Sequence, residues 1–393
     1  MKNIDSLIII QAFFVTLFLL LVLRPVSKKI GLTDKPNSRK KHEGEIPLIG
    51  GLSIYLCLLA LFYWLPVKNY AYLISATFLV ACGTIDDFKP LSYKIRLIIE
   101  VVAALIVIQW GGIEIKSLGN IFGFGEVSLG YFSSVFTVFA IIGGINAFNM
   151  IDGIDGLAGS LSLLVFILIF IVGLNTPSIV SLCLIFIPAI CAFLLFNLRI
   201  LGRKKASIFL GDSGSMLFGF TISCLVILAS QNENRIISPA TVLWVLAIPL
   251  FDSISIMVRR IKKGKSPFAP DREHFHHILP LAGYSINQTI CIILTLSFSL
   301  GCFGIIGEIL INLPDWLLFY LFLGLFSLFF WGMSHSWKMM KIARILRFVE
   351  RRGERRKTDR RKNTSPYYGV ERRVLPDRRS GLDRRKSKSQ SKK

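Results

Sequence analysis

Residues 157–198 read LAGSLSLLVFILIFIVGLNTPSIVSLCLIFIPAICAFLLFNL, 42 consecutive positions without a charged side chain. A bilayer crossing needs roughly 20 mostly apolar residues, so this stretch is about twice as long as one helix requires. Gly173-Leu-Asn-Thr-Pro-Ser178 in its middle is a turn signal. Two membrane helices joined by a tight turn account for both facts.

Other uncharged stretches lie on either side: 6–23, 46–67, 69–85, 131–151, 213–232, 236–251, 278–307 and 316–337. One more, from about Leu97 to Trp110, has Glu100 near one end. The expected fold is therefore an all-α polytopic integral membrane protein with eleven transmembrane helices. The first stretch is no cleaved signal, because Asp5 offsets Lys2, no small-x-small site follows, and further spans come later. Hydrophobic residues make up 53% of the 393-residue chain and charged ones only 18%, against about 25% in soluble domains. A soluble enzyme, a disordered chain and a disulfide scaffold are excluded. Seven cysteines, 57, 82, 183, 191, 224, 291 and 302, all fall inside apolar runs and read as buried small hydrophobes.

Charge asymmetry sets the expected orientation. Segments 24–46 (seven basic residues), 86–96, 199–211, 259–285 and everything after 337 are rich in Lys and Arg. The alternate segments 66–69, 111–130, 174–178, 231–236 and 308–315 have hardly any. The basic set faces the cytoplasm, and an odd number of crossings puts the N-terminus outside and the C-terminus inside. Segment 143–156 has no Lys or Arg, yet parity assigns it to the same face.

That face also collects the acids. Asp86 and Asp87 occur in TIDDFKPLSYKIR, Asp152 and Asp155 in NAFNMIDGIDGLAG, Asp212 in FLGDSGS, and Asp271 with His274, His276 and His277 in SPFAPDREHFHHIL. Carboxylates at span boundaries are costly and mark function by default. Asp155 and Asp212 also fit helix N-caps, and Asp252 lies about two turns inside the ninth apolar stretch, equally suited to catalysis or polar packing. The histidines read as phosphate contacts, since no cysteine lies nearby to make a soft-metal site. Hard carboxylate oxygens beside Lys, Arg and His suit a Mg²⁺ site handling a diphosphate at the lipid boundary. No nucleotide-binding glycine motif occurs.

The segments GLTDKPNSRKKHEGEIPLIGG (31–51), TIDDFKPLSYKIR, NAFNMIDGIDGLAG, FLGDSGS and SPFAPDREHFHHILPLAGYS (266–285) resemble the polyprenyl-phosphate N-acetylhexosamine-1-phosphate transferases over about residues 1–345. The likeness is strongest to the bacterial branch that begins O-antigen and enterobacterial common antigen assembly in the inner membrane. The resemblance implies that UDP-N-acetylglucosamine and undecaprenyl phosphate react, with Mg²⁺ or Mn²⁺ and on the cytoplasmic face, to give the lipid-linked sugar diphosphate and UMP. It implies catalytic roles for Asp86, Asp87, Asp152 and Asp155, and metal ligation by Asp212 and Asp87. Substrate contacts are implied for Asn146, Asn149, Asn197, Arg272, His274, His276 and His277, and for Lys94 or Arg96. Paralogues that use other UDP-N-acetylhexosamines share much of this pattern. An aspartate-bound covalent intermediate is the alternative to direct attack, and a secondary transporter is the alternative class.

The last segment, 346–393, lies outside the resemblance. From Glu350 onward it holds 18 basic and 6 acidic residues, a net +12 of the chain's +22. Six acid-Arg-Arg triplets at irregular spacing, broken by Pro366, Pro376 and Gly381, read as a disordered cytoplasmic tail. Its expected partner is anionic lipid headgroups, not nucleic acid.

Overall fold

The computed structural model describes residues 2–34, 44–200, 203, 205–231, 235–264, 266 and 274–335, with side chains described from residue 6. The chain divides into two units, Met1–Arg344 and Ile345–Lys393. The expected tail, 346–393, and Arg272 lie outside the described residues.

The unit is built from helices α1 (Lys2–Ile30), α2 (Gly50–Leu61), α3 (Tyr70–Phe88), α4 (Tyr93–Gln109), α5 (Ser133–Ile151), α6 (Leu157–Val172), α7 (Pro177–Asn197) and α8 (Gly211–Gln231). These are followed by α9 (Pro239–Val245), α10 (Ala247–Lys262), α11 (Phe275–Leu281), α12 (Ile286–Ile309) and α13 (Asp315–Ser334). Two two-residue strands, Thr33–Asp34 and Ile46–Pro47, pair antiparallel after α1. Among the described residues, seven helices are long and apolar enough to cross a membrane, or eight if the bent pair α9–α10 counts as one. The protein is thus a helical polytopic membrane protein. The turn expected at 173–178 is where α6 ends at Val172 and α7 begins at Pro177.

Helix α8 is the axis of the bundle and is buried along nearly its whole length. It packs against α2, α3, α5 and α6, while α1 lies along α7 and α2. Between helices in lipid there is no hydrophobic driving force, so close packing and hydrogen bonds hold them together. Tyr72 Oη and Thr221 Oγ1 share a 2.8 Å hydrogen bond between α3 and α8, and Ser75 Oγ donates to the Ala103 carbonyl of α4 at 2.8 Å. At the end of α3 that carries the acids, Gly83 lies directly on the Ser213 backbone, where an added Cβ would collide with Ser213 Cα.

Three sequence expectations change. The ninth stretch, 236–251, is not one straight crossing: α9 and α10 meet at an 83° bend. Pro249, in the first turn of α10, has no N–H to give the Val245 carbonyl and its ring crowds that carbonyl, which favours the break at Leu246 just before it. The stretch 278–307 is divided as well. Helix α11 stops at Leu281, Gly283 turns the chain at φ +95°, and a Ser285–Gln288 capping box opens α12. Among the cysteines, 57, 82, 183 and 224 are buried and 191 and 302 half-buried, but Cys291 is exposed on α12. An apolar run serves a lipid-facing position as well as an interior one, so hydropathy could not separate the two.

Gly83→Val should push α3 off α8. The expected outcome is a lower thermal midpoint in detergent, worth about 1–3 kcal/mol of overpacking; a midpoint equal to that of the wild type would contradict the close approach.

Candidate active site

The acids gather where the C-terminal ends of α3 and α5 meet the N-terminal ends of α4 and α8. Asp87 stands at the electrostatically wrong end of its own helix but the right end of α8. Its carboxylate accepts from the backbone N–H of Asp212 at 2.8 Å and of Ser213 at 3.3 Å, and from Ser213 Oγ at 3.2 Å. These N–H groups have no partner within α8, and Asp87 takes that place. Gly211 makes the approach feasible: its φ is +78°, and a Cβ there would meet Asp87 Oδ2 at 2.5 Å.

Asp86, one residue earlier, points the other way. It accepts from Leu91 N at 2.6 Å and from Arg96 Nη1 at 2.8 Å, which ties the α3–α4 turn to α4. The same Arg96 nitrogen is 3.9 Å from Asp212 Oδ2. Asn149 on α5 links the set, donating to Asp212 Oδ1 at 2.7 Å and hydrogen-bonded to Ser215 Oγ at 2.9 Å. Its own carbonyl oxygen accepts from Arg96 at 3.3 Å. Arg96 is therefore the cation that joins Asp86, Asp212 and Asn149, whereas Lys94 is exposed.

Asp152 caps the end of α5 beside this group. Solvent reaches it, yet protein surrounds the recess in which it stands. Those walls first, and the carboxylates of Asp212 and Asp155 second, push its carboxyl up to about 7. Asp86, Asp87, Asp152 and Asp212 together outnumber Arg96, and their hard oxygen donors are of the type that Mg²⁺ or Mn²⁺ takes. Their donor chemistry suits such a cation, although among the described residues the ligand atoms that lie within 4.8 Å of one another are those of Asp252, His274 and His276.

The other expected site residues serve neighbouring tasks. Asp155 Oδ2 accepts from Arg199 Nε at 2.8 Å and from Ala206 N at 2.9 Å. Asn197 accepts from Gly156 N at 2.8 Å and donates to the Ile208 carbonyl at 2.9 Å. These two residues pin the α5–α6 turn to the segment before α8. Asn146 donates to Glu100 Oε2 at 2.8 Å, a partner that sequence reading noted only as lying near a span end. The signal was there, since Glu100 is a buried carboxylate in an apolar run.

The histidines form a second group with an unexpected member. His274 Nδ1 lies 2.9 Å from Asp252 Oδ2, and Asp252 Oδ1 accepts from Phe275 N at 2.8 Å. Asp252, His274 and His276 are all buried, with donor atoms within 4.8 Å of one another. Burial holds the His276 imidazole down to about 3, so the ring is neutral at physiological pH. Both of its ring nitrogens are buried with no hydrogen-bond partner among the described residues. A Cβ on Gly153 would run into this ring, which therefore adjoins the Asp152 turn. Beyond Phe251 and Phe275, an apolar cavity of about 450 Å³ opens between α10, α11, α12 and α13, lined also by Ile248, Leu296, Leu300 and Phe329.

A helical membrane protein that closes several helix ends on a carboxylate cluster, with histidines beside it, carries the residue types of a membrane-embedded enzyme. Residues 69–230 match the model of glycosyl transferase family 4, and the chain belongs to that family. It is 40% identical over 350 residues to an undecaprenyl-phosphate alpha-N-acetylglucosaminyl 1-phosphate transferase of Escherichia coli K12, covering 88% of this chain and 94% of that protein. Proteins of the same name from Salmonella typhi (39% over 359 residues; 90% and 96%) and Pasteurella multocida (41% over 353; 88% and 98%) are similar to it.

The Asp152 shift has a consequence for stability. Its folded carboxyl titrates near 7, well above the ordinary 3.8, so the folded state holds the proton more tightly than the unfolded chain. The resulting stabilisation is complete below about 4 and is lost as pH rises through about 7. Thermal midpoints measured from pH 4 to pH 8 should fall for the wild type, and Asp152→Asn should flatten that fall.

Proposed function

We propose that the protein transfers N-acetylglucosamine 1-phosphate from UDP-N-acetylglucosamine to undecaprenyl phosphate, releasing UMP, as the first membrane step of a cell-surface polysaccharide such as O-antigen. The observation that carries this is the convergence of Asp86, Asp87, Asp212, Asn149 and Arg96 at one end of the bundle, in a chain whose curated relatives bear that name along nearly their whole length. We place the site at the cytoplasmic face of a bacterial inner membrane. Eleven crossings would then leave the N-terminus outside, with the broken pair α9–α10 and the shorter helices α2, α4 and α6 among them. The Lys/Arg asymmetry of the loops supports that orientation.

In the proposed reaction, an oxygen of undecaprenyl phosphate attacks the β-phosphorus of the UDP-sugar. The bond from that phosphorus to the bridging oxygen breaks, and UMP leaves with the electron pair. The second pKa of a phosphate monoester is about 6, so the acceptor is already mostly a dianion at neutral pH and gains little from a general base. Bringing that dianion to a second anion is the larger barrier. Arg96 supplies fixed positive charge for it, and Asn149 holds Asp212 and Arg96 in register. Asp87 and Asp212 would hold Mg²⁺ or Mn²⁺, which supplies electrostatic neutralisation of the phosphoryl groups when bound. His276, neutral and with two orphaned nitrogens, would find its hydrogen-bond partner in the sugar nucleotide, with His274, His277 and Arg272 beside it. The apolar cavity suits prenyl units by its lining. The basic tail would adhere to anionic headgroups.

Membranes containing the protein, given radiolabelled UDP-N-acetylglucosamine and polyprenyl phosphate, should form a labelled lipid and UMP. Running several UDP-N-acetylhexosamines in parallel settles the sugar. No labelled lipid from any of them, with vesicle uptake instead, would return the transporter to contention. UMP exchange into UDP-sugar without acceptor would favour a covalent intermediate over direct attack. Asp212→Asn should lower turnover by orders of magnitude with little change in thermal midpoint. Asp87→Ala should lose both turnover and about 0.5–2 kcal/mol of stability, because it also removes the cap on α8. Deleting 350–393 should leave turnover in membranes mostly intact.

A further inference from the structure

Asp252, on α10, is 22 residues from His274 in sequence, yet the two side chains meet at the start of α11. An unpaired carboxylate at that depth would be strongly unfavourable. Its oxygens meet two consecutive residues: Oδ2 the imidazole of His274, Oδ1 the backbone N–H of Phe275. The two contacts fix the ring both in position and in rotation. Imidazole nitrogens lie on opposite sides of the ring, so a ring with Nδ1 held by the carboxylate turns Nε2 away from it. His274 is stacked on His276, with centroids 5.1 Å apart and planes 16° apart. His276 in turn lies against Gly153, next to Asp152 of the acid cluster. A single carboxylate on α10 thus sets the geometry of a row of side chains that ends at the candidate active site.

We propose that Asp252 is a positioning residue: it holds His274 in the Nδ1–H tautomer, in one orientation, so that Nε2 is the atom presented to the sugar nucleotide. This rests on the sugar-nucleotide function proposed above. Asp252 itself touches no substrate. The 2.9 Å separation between Nδ1 and Oδ2 is that of a hydrogen bond, the contact by which a carboxylate fixes the tautomer and orientation of a neighbouring imidazole. Among the described residues, the ionisable groups that face His274 are Asp252 from α10 and His276 and His277 from α11.

The test has two arms, both on the full chain. The first uses ¹⁵N-histidine labelling, practical because the chain has only five histidines. Nuclear magnetic resonance should report His274 as Nδ1–H in the wild type, with Asp252→Asn moving it to the other tautomer or to a mixture. An unchanged tautomer in that isosteric variant would overturn the proposal. The second arm is kinetic. Asp252→Asn and Asp252→Ala should lower kcat/KM for UDP-N-acetylglucosamine by about 10²-fold, the scale of a misplaced contact group. The double variant Asp252→Ala/His274→Ala should be no slower than His274→Ala alone, since Asp252 acts through the ring. Multiplying losses would show an independent role, and normal turnover per folded molecule would show a purely structural one; either sinks the idea. A stoichiometric metal that copurifies with the wild type and is lost in Asp252→Asn would replace positioning with ligation. If the wild type transfers no sugar phosphate from any UDP-sugar, the proposed function fails, whereas the tautomer measurement still tests the dyad.

Discussion

The carboxylate of Asp87 closes on the backbone N–H groups of Asp212 and Ser213, and the active end of the bundle is organised around that contact. The first-turn N–H groups of α8 have no partner within the helix, and an unserved donor on so largely buried a helix is costly. Meeting them with a side chain from α3 locks the two helices at one height. It also brings Asp86 and Asp212 within reach of the same guanidinium, Arg96. The glycines at 83 and 211 make this contact feasible by removing the Cβ atoms that would hold the backbones apart.

From that lock the site spreads in three directions. Asn149 carries it to α5 through Asp212, and Asp152 follows three residues later, where the walls of the recess and nearby negative charge raise its carboxyl. On one side Asp155 and Asn197 fasten the loops that present α8. On the other, His276 abuts Gly153 and leads through His274 to Asp252. Residues that look alike in sequence therefore have different tasks. Asp152 makes no hydrogen bond among the described residues, whereas Asp155, three positions on, is held by Arg199 and a backbone N–H.

What became legible from sequence depended on range. Hydropathy located the apolar helices and the turn at 173–178, because a crossing is a local property of about 20 residues. The acidic motifs were legible for the same reason: a carboxylate at a span boundary is conspicuous without any knowledge of its neighbours. Partners were not. Nothing in TIDDFKPLSYKIR says that Asp86 takes Arg96 while Asp87 takes the start of a helix about 125 residues away. The choice between Lys94 and Arg96 and the Glu100–Asn146 pair likewise needed three dimensions.

The sequence by itself determined that the chain is a helical membrane protein whose acids and histidines fall at helix ends, since burial of apolar surface and the cost of charge in lipid act residue by residue. Only the tertiary structure decided which acids meet, which are spent holding loops, and that Asp252 belongs with the histidines. Those outcomes depend on how the helices pack against one another. Contacts across tens to more than a hundred residues are set by the shapes of whole helices, which no local pattern encodes.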